Sequence, residues 1–186
     1  MTIALAIIGG VLLVGLLWVV VNYNRMARVR QHILESWSDI DVELKRRYEL
    51  IPNLVETVKG YARHERDVLE QVTSLRRRAL DSRGSAASQA VDESAMLLAL
   101  KKLFAVVEAY PTLKADGNFL ALQRELSITE DRIAAARRFY NANVREMSQL
   151  CETFPTNLVA SAFHFEGGDY FELERAAERV VPHIDL

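Results

Sequence analysis

The side chains best able to do chemistry in this chain are its four histidines and its scattered carboxylates. Their spacing decides which chemistry is open. A di-iron site in a helical bundle needs Glu-x-x-His on two helices and two further inward glutamates. No Glu-x-x-His occurs. His32 and Glu35 carry that spacing in reverse order and read as surface residues. His64–Glu65 does not begin an H-E-x-x-H zinc motif, and His164 and His183 stand alone. No phosphate-cradling glycine loop, nucleophile elbow or kinase signature is present. Cys151 is the single cysteine, which excludes a disulfide within the chain. It lies on an apolar helical face, where a small core residue is expected. Arg76–Arg77–Arg78 reads as a solvated run at a helix end, favoured by the dipole. A phosphate or acidic partner is the alternative for that run. Asp39 and Asp41 flank Ile40 and suit capping or clamping a turn better than catalysis. No catalytic, cofactor-binding or metal-ligating residue is assigned, and the expectation is a protein that is not an enzyme. A hydrolase site assembled from scattered acids is the weakest alternative.

The elements that would carry any function begin with Thr2–Val21, TIALAIIGGVLLVGLLWVVV. No charged side chain precedes Arg25. About 20 apolar residues is the length an α-helix needs to cross a bilayer. Such a helix also satisfies its own backbone groups, as hydrocarbon demands. Trp18 and Tyr23 fall near its end, where aromatic rings favour the interface. A cleaved signal peptide or a buried core helix would be the alternatives. The basic residues follow the apolar run instead of preceding it, which favours a retained anchor over residues 1–24. Arg25, Arg28 and Arg30 form the membrane-flanking basic group. The tendency of such residues to stay inside predicts an outer N-terminus and a cytoplasmic remainder. The same arginines would feel anionic headgroups.

The chain has 186 residues, enough for one packed core after the anchor. A formal charge of −2 gives no general pull towards nucleic acid, and none is expected as a partner. Four prolines and eight glycines leave room for long helices. Val29, Ile33, Trp37, Ile40, Leu44 and Tyr48 recur every three or four residues and predict a helix over 24–48. Asp41–Lys45 and Glu43–Arg47 are expected i,i+4 pairs along it. Pro52 predicts a turn at Glu49–Ile51 and a second helix over 52–80, with a kinked continuous helix as the alternative. Asp81–Gln89 reads as a surface loop and 88–110 as a third helix. Tyr110–Gly117 is a corner in which Asp116 can cap the next helix. That fourth helix shows the clearest period, from Phe119 through Leu126, Ile133, Tyr140 and Val144 to Cys151, spaced like a coiled coil. A charge at Tyr140 would sit in its core, so Tyr140→Asp is expected to cost several kcal/mol. A short helix over 156–162 and a non-helical tail follow. The expected architecture is all-α: an N-terminal single-pass transmembrane helix, then an antiparallel four-helix bundle over 25–153, then a short helix and aromatic tail over 154–186.

The stretches Trp37–Tyr48 (WSDIDVELKRRY) and Leu50–Tyr61 (LIPNLVETVKGY) resemble the signature of the LemA family. Tyr110–Pro111, Leu113–Lys114, Asn118–Gln123, Thr129–Glu130, Arg137 and Tyr140–Asn141 are similar to its second half. Phe163, Phe165, Tyr170 and Phe171 are similar to its closing aromatic segment. The resemblance implies a bacterial single-pass membrane protein with a cytoplasmic helical bundle and no established enzyme activity. It also implies relatives that organise intracellular membranes, notably those of magnetosomes. One departure is Met147–Ser148, where many members repeat a Tyr-Asn pair. If those pairs bind something polar, this chain has lost half of that feature; if they pack, methionine simply fills the space.

Together these readings lead to a scaffold in the bacterial inner membrane that self-associates or recruits partners. A signalling adaptor or a lipid-binding protein acting through the bundle is the alternative. Membrane lipids are the expected partners of the anchor, and a homo-oligomer is expected with no cofactor. Phe163, Phe165, Tyr170 and Phe171 are the candidate oligomer contacts, because four exposed rings together would form a patch soluble surfaces rarely tolerate. On that view, truncation after Cys151 releases smaller species and leaves the bundle folded.

Overall fold

The computed structural model describes residues 1–173. Among these the regular structure is helical: α1 (Thr2–Tyr61), α2 (Arg66–Asp81), α3 (Ala86–Glu108), α4 (Pro111–Lys114), α5 (Gly117–Glu152) and α6 (Thr156–Phe163). The contacts separate into two units. One holds Met1–Ser36 with Phe139–Gly168, and the other holds Trp37–Arg138 with 169–173. The division falls inside α1 and α5, so both long helices contribute to each unit.

The larger unit is the bundle. Its part of α1 runs antiparallel to its part of α5: Arg46 meets Glu125 at 3.1 Å, Glu43 meets Arg132 at 3.8 Å, and Tyr61 Oη donates to Asp116 at 3.0 Å. α2 and α3 form a hairpin turned at 82–85, with Ser85 Oγ accepting from Ser88 N. Ile40, Leu44, Ile51, Leu54 and Val58 of α1 share a core with Leu69 and Val72, Leu97, Leu100 and Leu103, and Phe119, Leu126 and Ile133. Phe104 and Phe119 meet edge to face with centroids 6.4 Å apart. Asp116 caps α5 as expected, its Oδ1 accepting from Phe119 N at 2.9 Å. That backbone donor, then the Tyr61 hydroxyl, holds the Asp116 carboxyl below its usual range.

The expected turn before Pro52 is absent. α1 is one helix of 60 residues with Pro52 inside it, and the chain reverses at 62–65 instead. A proline in a helix interior removes the donor that the carbonyl four residues earlier would use. Here that orphan is Tyr48 O, and Arg76 Nε of α2 donates to it at 2.6 Å. The break in the ladder is thus closed from a neighbouring helix. Arg76 is not the solvated end-of-helix charge its neighbours suggest, and Arg78 is paired with Asp92 at 2.7 Å. Arg76→Ala is expected to cost about 1.5–3 kcal/mol, the range for a bond to a charged group. In a Pro52→Ala background the helix regains its own donor, so the same change should cost well under half as much. Urea unfolding of the four proteins measures the coupling; equal costs in both backgrounds would refute it.

The smaller unit begins with the apolar residues of α1. Their side chains are solvent-facing within the chain, and their length and mean hydropathy of 2.8 suit a membrane crossing. Among the described residues α1 is the one helix long and apolar enough to cross a membrane. Beyond it, Arg25 meets Glu146 at 2.8 Å, and Asn143 Nδ2 donates to His32 O and Ser36 Oγ at 3.3 Å each. Met26 and Val29 pack with Met147 and Leu150 of α5, Val159 and Ala160 of α6, and Phe165. Met147 is therefore a packing residue in this chain. Beside it, a Cβ on Gly167 would lie 2.8 Å from Ser148 Oγ, so a small residue on each side lets the tail pass close to α5. Tyr140 is buried, as its spacing predicts. Tyr140→Asp should lower the urea midpoint, and an unchanged midpoint would mean that the ring's burial contributes nothing.

Candidate functional site

The most concentrated chemistry in the bundle is a buried charge cluster on α1, α3 and α5. Arg47 of α1 has a side chain 1% exposed, and Glu93 of α3 one 3% exposed. The two are in direct ionic contact. Arg47 Nη1 also donates to both carboxylate oxygens of Glu130, at 3.0 and 3.2 Å. Tyr48 donates its hydroxyl to Glu93, and the Arg47 guanidinium lies 5.8 Å from the Tyr48 ring centre. Together with Arg76 on Tyr48 O, the cluster ties four helices at one level of α1. The expected Glu43–Arg47 pair does not form; Glu43 turns to Arg132.

The arrangement is structural in character. Glu93 receives both an arginine and a phenol, so it is not placed as a free base. Among the described residues no group of three or more His, Cys, Asp or Glu side chains is placed to hold a metal. His32 Nδ1 lies 3.1 Å from Glu35 Oε2 on an exposed surface. Burial pushes the Cys151 thiol up, with Glu152 and Glu166 adding to it, which disfavours the reactive thiolate.

Burial also pushes the Tyr48 phenol from its ordinary 10.0 up to about 12. The raised value means that protonated Tyr48 favours the fold fully below pH 10 and that this support is lost as pH climbs towards 12. The contribution is about 2–3 kcal/mol. Alkaline unfolding of the wild type should thus set in between pH 10 and 12 with a tyrosinate absorbance step. Tyr48→Phe should unfold without that step's contribution to the pH dependence. An identical alkaline profile in the two proteins would exclude the assignment.

None of the three membrane-flanking arginines is a bare charge. Arg25 pairs with Glu146, Arg28 Nε donates to Asn24 O at 3.3 Å, and Arg30 lies 5.4 Å from the Phe165 ring centre. The four tail aromatics do not form one patch. Phe165 is buried in the smaller unit, with Tyr23 at 5.5 Å. Phe163 meets Tyr23 edge to face at 4.8 Å and stays half-exposed. In the bundle, Phe171 is fully buried and 5.6 Å from Trp37, and Tyr170 is partly covered. The chain's own helices thus take two of the rings, Phe165 and Phe171, which the sequence reading left exposed as oligomer contacts. Truncation after Cys151 would remove core side chains along with any contact surface. VVPHIDL at the chain end lies outside the described residues.

Sequence reasoning gave Arg47 only Glu43 as a partner and Glu130 only a place in the family resemblance, and it passed over Glu93. A signal was present: Arg47 continues the stripe Ile40, Leu44, Ile51, and Glu93 begins the stripe Leu97, Leu100, Phe104, Val107. A charge in register with a buried stripe calls for a partner.

Residues 36–186 match the profile described as the LemA family. The chain is similar to magnetosome protein MamQ 2 of Paramagnetospirillum magneticum, at 25% identity over 182 residues covering 84% of this chain and 67% of that one. It is similar to magnetosome protein MamQ of Magnetospirillum gryphiswaldense, at 24% over 190 residues, covering 88% and 70%. Protein LemA of Metamycoplasma hominis is 28% identical over 137 residues, covering 74% of this chain and 63% of its own.

Proposed function

This chain belongs to the LemA family, and from that membership we propose that it is a membrane-anchored helical scaffold. In this reading it sits in the bacterial inner membrane with its N-terminus outside, and the bundle organises membranes or partner proteins on the cytoplasmic side. The observation that carries the reading is α1, one unbroken helix that supplies both the apolar span and a core-lining element of the bundle. Relatives bearing magnetosome names support a role at intracellular membranes. Arg25, Arg28 and Arg30 directly after the span support the orientation.

Light scattering on the full-length protein in mild detergent tests the scaffold. A defined multimer is expected, and a monomer at all concentrations overturns it in favour of an adaptor. The adaptor reading has its own support in an open groove between the end of α1 and α2, lined by Lys59, Arg63, Arg66, Asp67, Glu70 and Arg77. Labelling of single cysteines placed before and after the span in intact cells tests orientation. Labelling of the bundle-side cysteine by a membrane-impermeant reagent would reverse it.

A further inference from the structure

The α5–α6 corner presents an apolar surface that the chain leaves uncovered. Phe154 is 74% exposed, Leu158 59% and Phe163 48%. Between Glu152 and Glu166 the sequence contains no aspartate, glutamate, lysine or arginine. On a water-facing helix of this composition such a gap is costly, because each exposed ring or branched chain orders water that burial would release.

The same element is fastened to α1 at the end of the apolar span. α6 places Val159 and Ala160 in the small core, and that core is packed against Val19, a residue of the apolar stretch itself. Phe163 and Phe165 both close on Tyr23. A helix rises 1.5 Å per residue, so Val19 and Tyr23 lie about 6 Å apart along α1. The level they mark is where an apolar span gives way to its basic flank, the depth at which bilayers hold aromatic and leucine side chains. Trp18 and Tyr23 stand at this level on α1 and remain partly exposed.

We propose that Phe154–Phe163 is a second membrane contact, an interfacial element whose Phe154, Leu158 and Phe163 side chains enter the headgroup–acyl boundary beside the span. The occupant of this surface is the lipid bilayer. Because the element is uncharged, its contact is apolar and does not need anionic lipid. The attachment then has two parts, a crossing helix and a lateral wedge in one leaflet. The inference rests on the reading of α1 as a membrane span.

The test uses the full-length protein with Cys151→Ala, carrying one fluorophore on Phe154→Cys, Leu158→Cys, Val14→Cys or Val42→Cys. Each is reconstituted in phosphatidylcholine vesicles containing lipids with a nitroxide at a shallow or a deep position of the acyl chain. Emission from residues 154 and 158 should be lost chiefly with the shallow quencher. Emission from residue 14 should be lost chiefly with the deep one, and emission from residue 42 should survive both. Quenching at residue 14 with none at 154 and 158 overturns the second contact and leaves the span intact. Absence of quenching at residue 14 overturns the span and the contact together. Self-quenching at 154 and 158 that grows with protein density, without lipid quenching, assigns the surface to a second copy and also overturns it.

Discussion

Arg47→Met is expected to destabilise the folded chain by about 3–5 kcal/mol, the range for removing one partner of a buried ion pair. The methionine fills much of the same volume, so the loss is electrostatic and not a cavity. Glu93 would remain with its side chain 3% exposed and without the guanidinium that meets it now. The Tyr48 hydroxyl alone cannot replace a full positive charge. Glu130, 14% exposed, would lose its two-oxygen contact with Arg47 as well. Neutralising the stranded carboxylate should reverse much of the damage. Arg47→Met combined with Glu93→Leu is expected to recover more than half of the lost stability, because a buried pair replaced whole by apolar groups is often neutral. Urea unfolding followed by circular dichroism in mild detergent reads all four corners of this cycle. Additive losses in the double variant would mean that the two side chains act independently.

Phe171→Ala is expected to cost about 3–5 kcal/mol, as for other fully buried phenylalanines. The ring is 0% exposed and tilts against Trp37 with centroids 5.6 Å apart. Its removal opens a void that the surrounding helices, held by their own ion pairs, cannot close. Phe163→Ala, at a half-exposed ring, should cost far less in the same assay. The comparison separates two roles for the tail. A tail that belongs to its own bundle loses stability with Phe171 and keeps its oligomeric size at low denaturant. A tail that belongs to a neighbouring protomer shows smaller species by light scattering at unchanged stability. The first pattern is the one that the burial of Phe171 demands.

Much of the architecture follows from periodicity alone. The three-and-four spacing from Phe119 to Cys151 marks α5, because one side of so long a helix must be apolar wherever it is packed. Asp116 signals the start of α5 by local chemistry, a short acceptor next to unsatisfied N–H groups. The apolar span is equally local, since a bilayer reads length and composition along one segment. The features that sequence reading misplaced all depend on a partner distant in the chain. Pro52 is a helix breaker by every local rule, and it sits inside α1 because Arg76 supplies the donor that Tyr48 O lacks. Arg47 looks like one basic residue among three after Leu44, and its burial depends on Glu93 and Glu130, which lie on α3 and α5. Phe165 and Phe171 resemble an unclaimed aromatic cluster until the folded helices offer Tyr23 and Trp37 to receive them. Residues near in sequence set helix periods and caps, because hydrogen bonds within a turn reach only three or four residues. Which charges and rings are buried is settled by whatever the helices bring together, and only the tertiary structure holds that information.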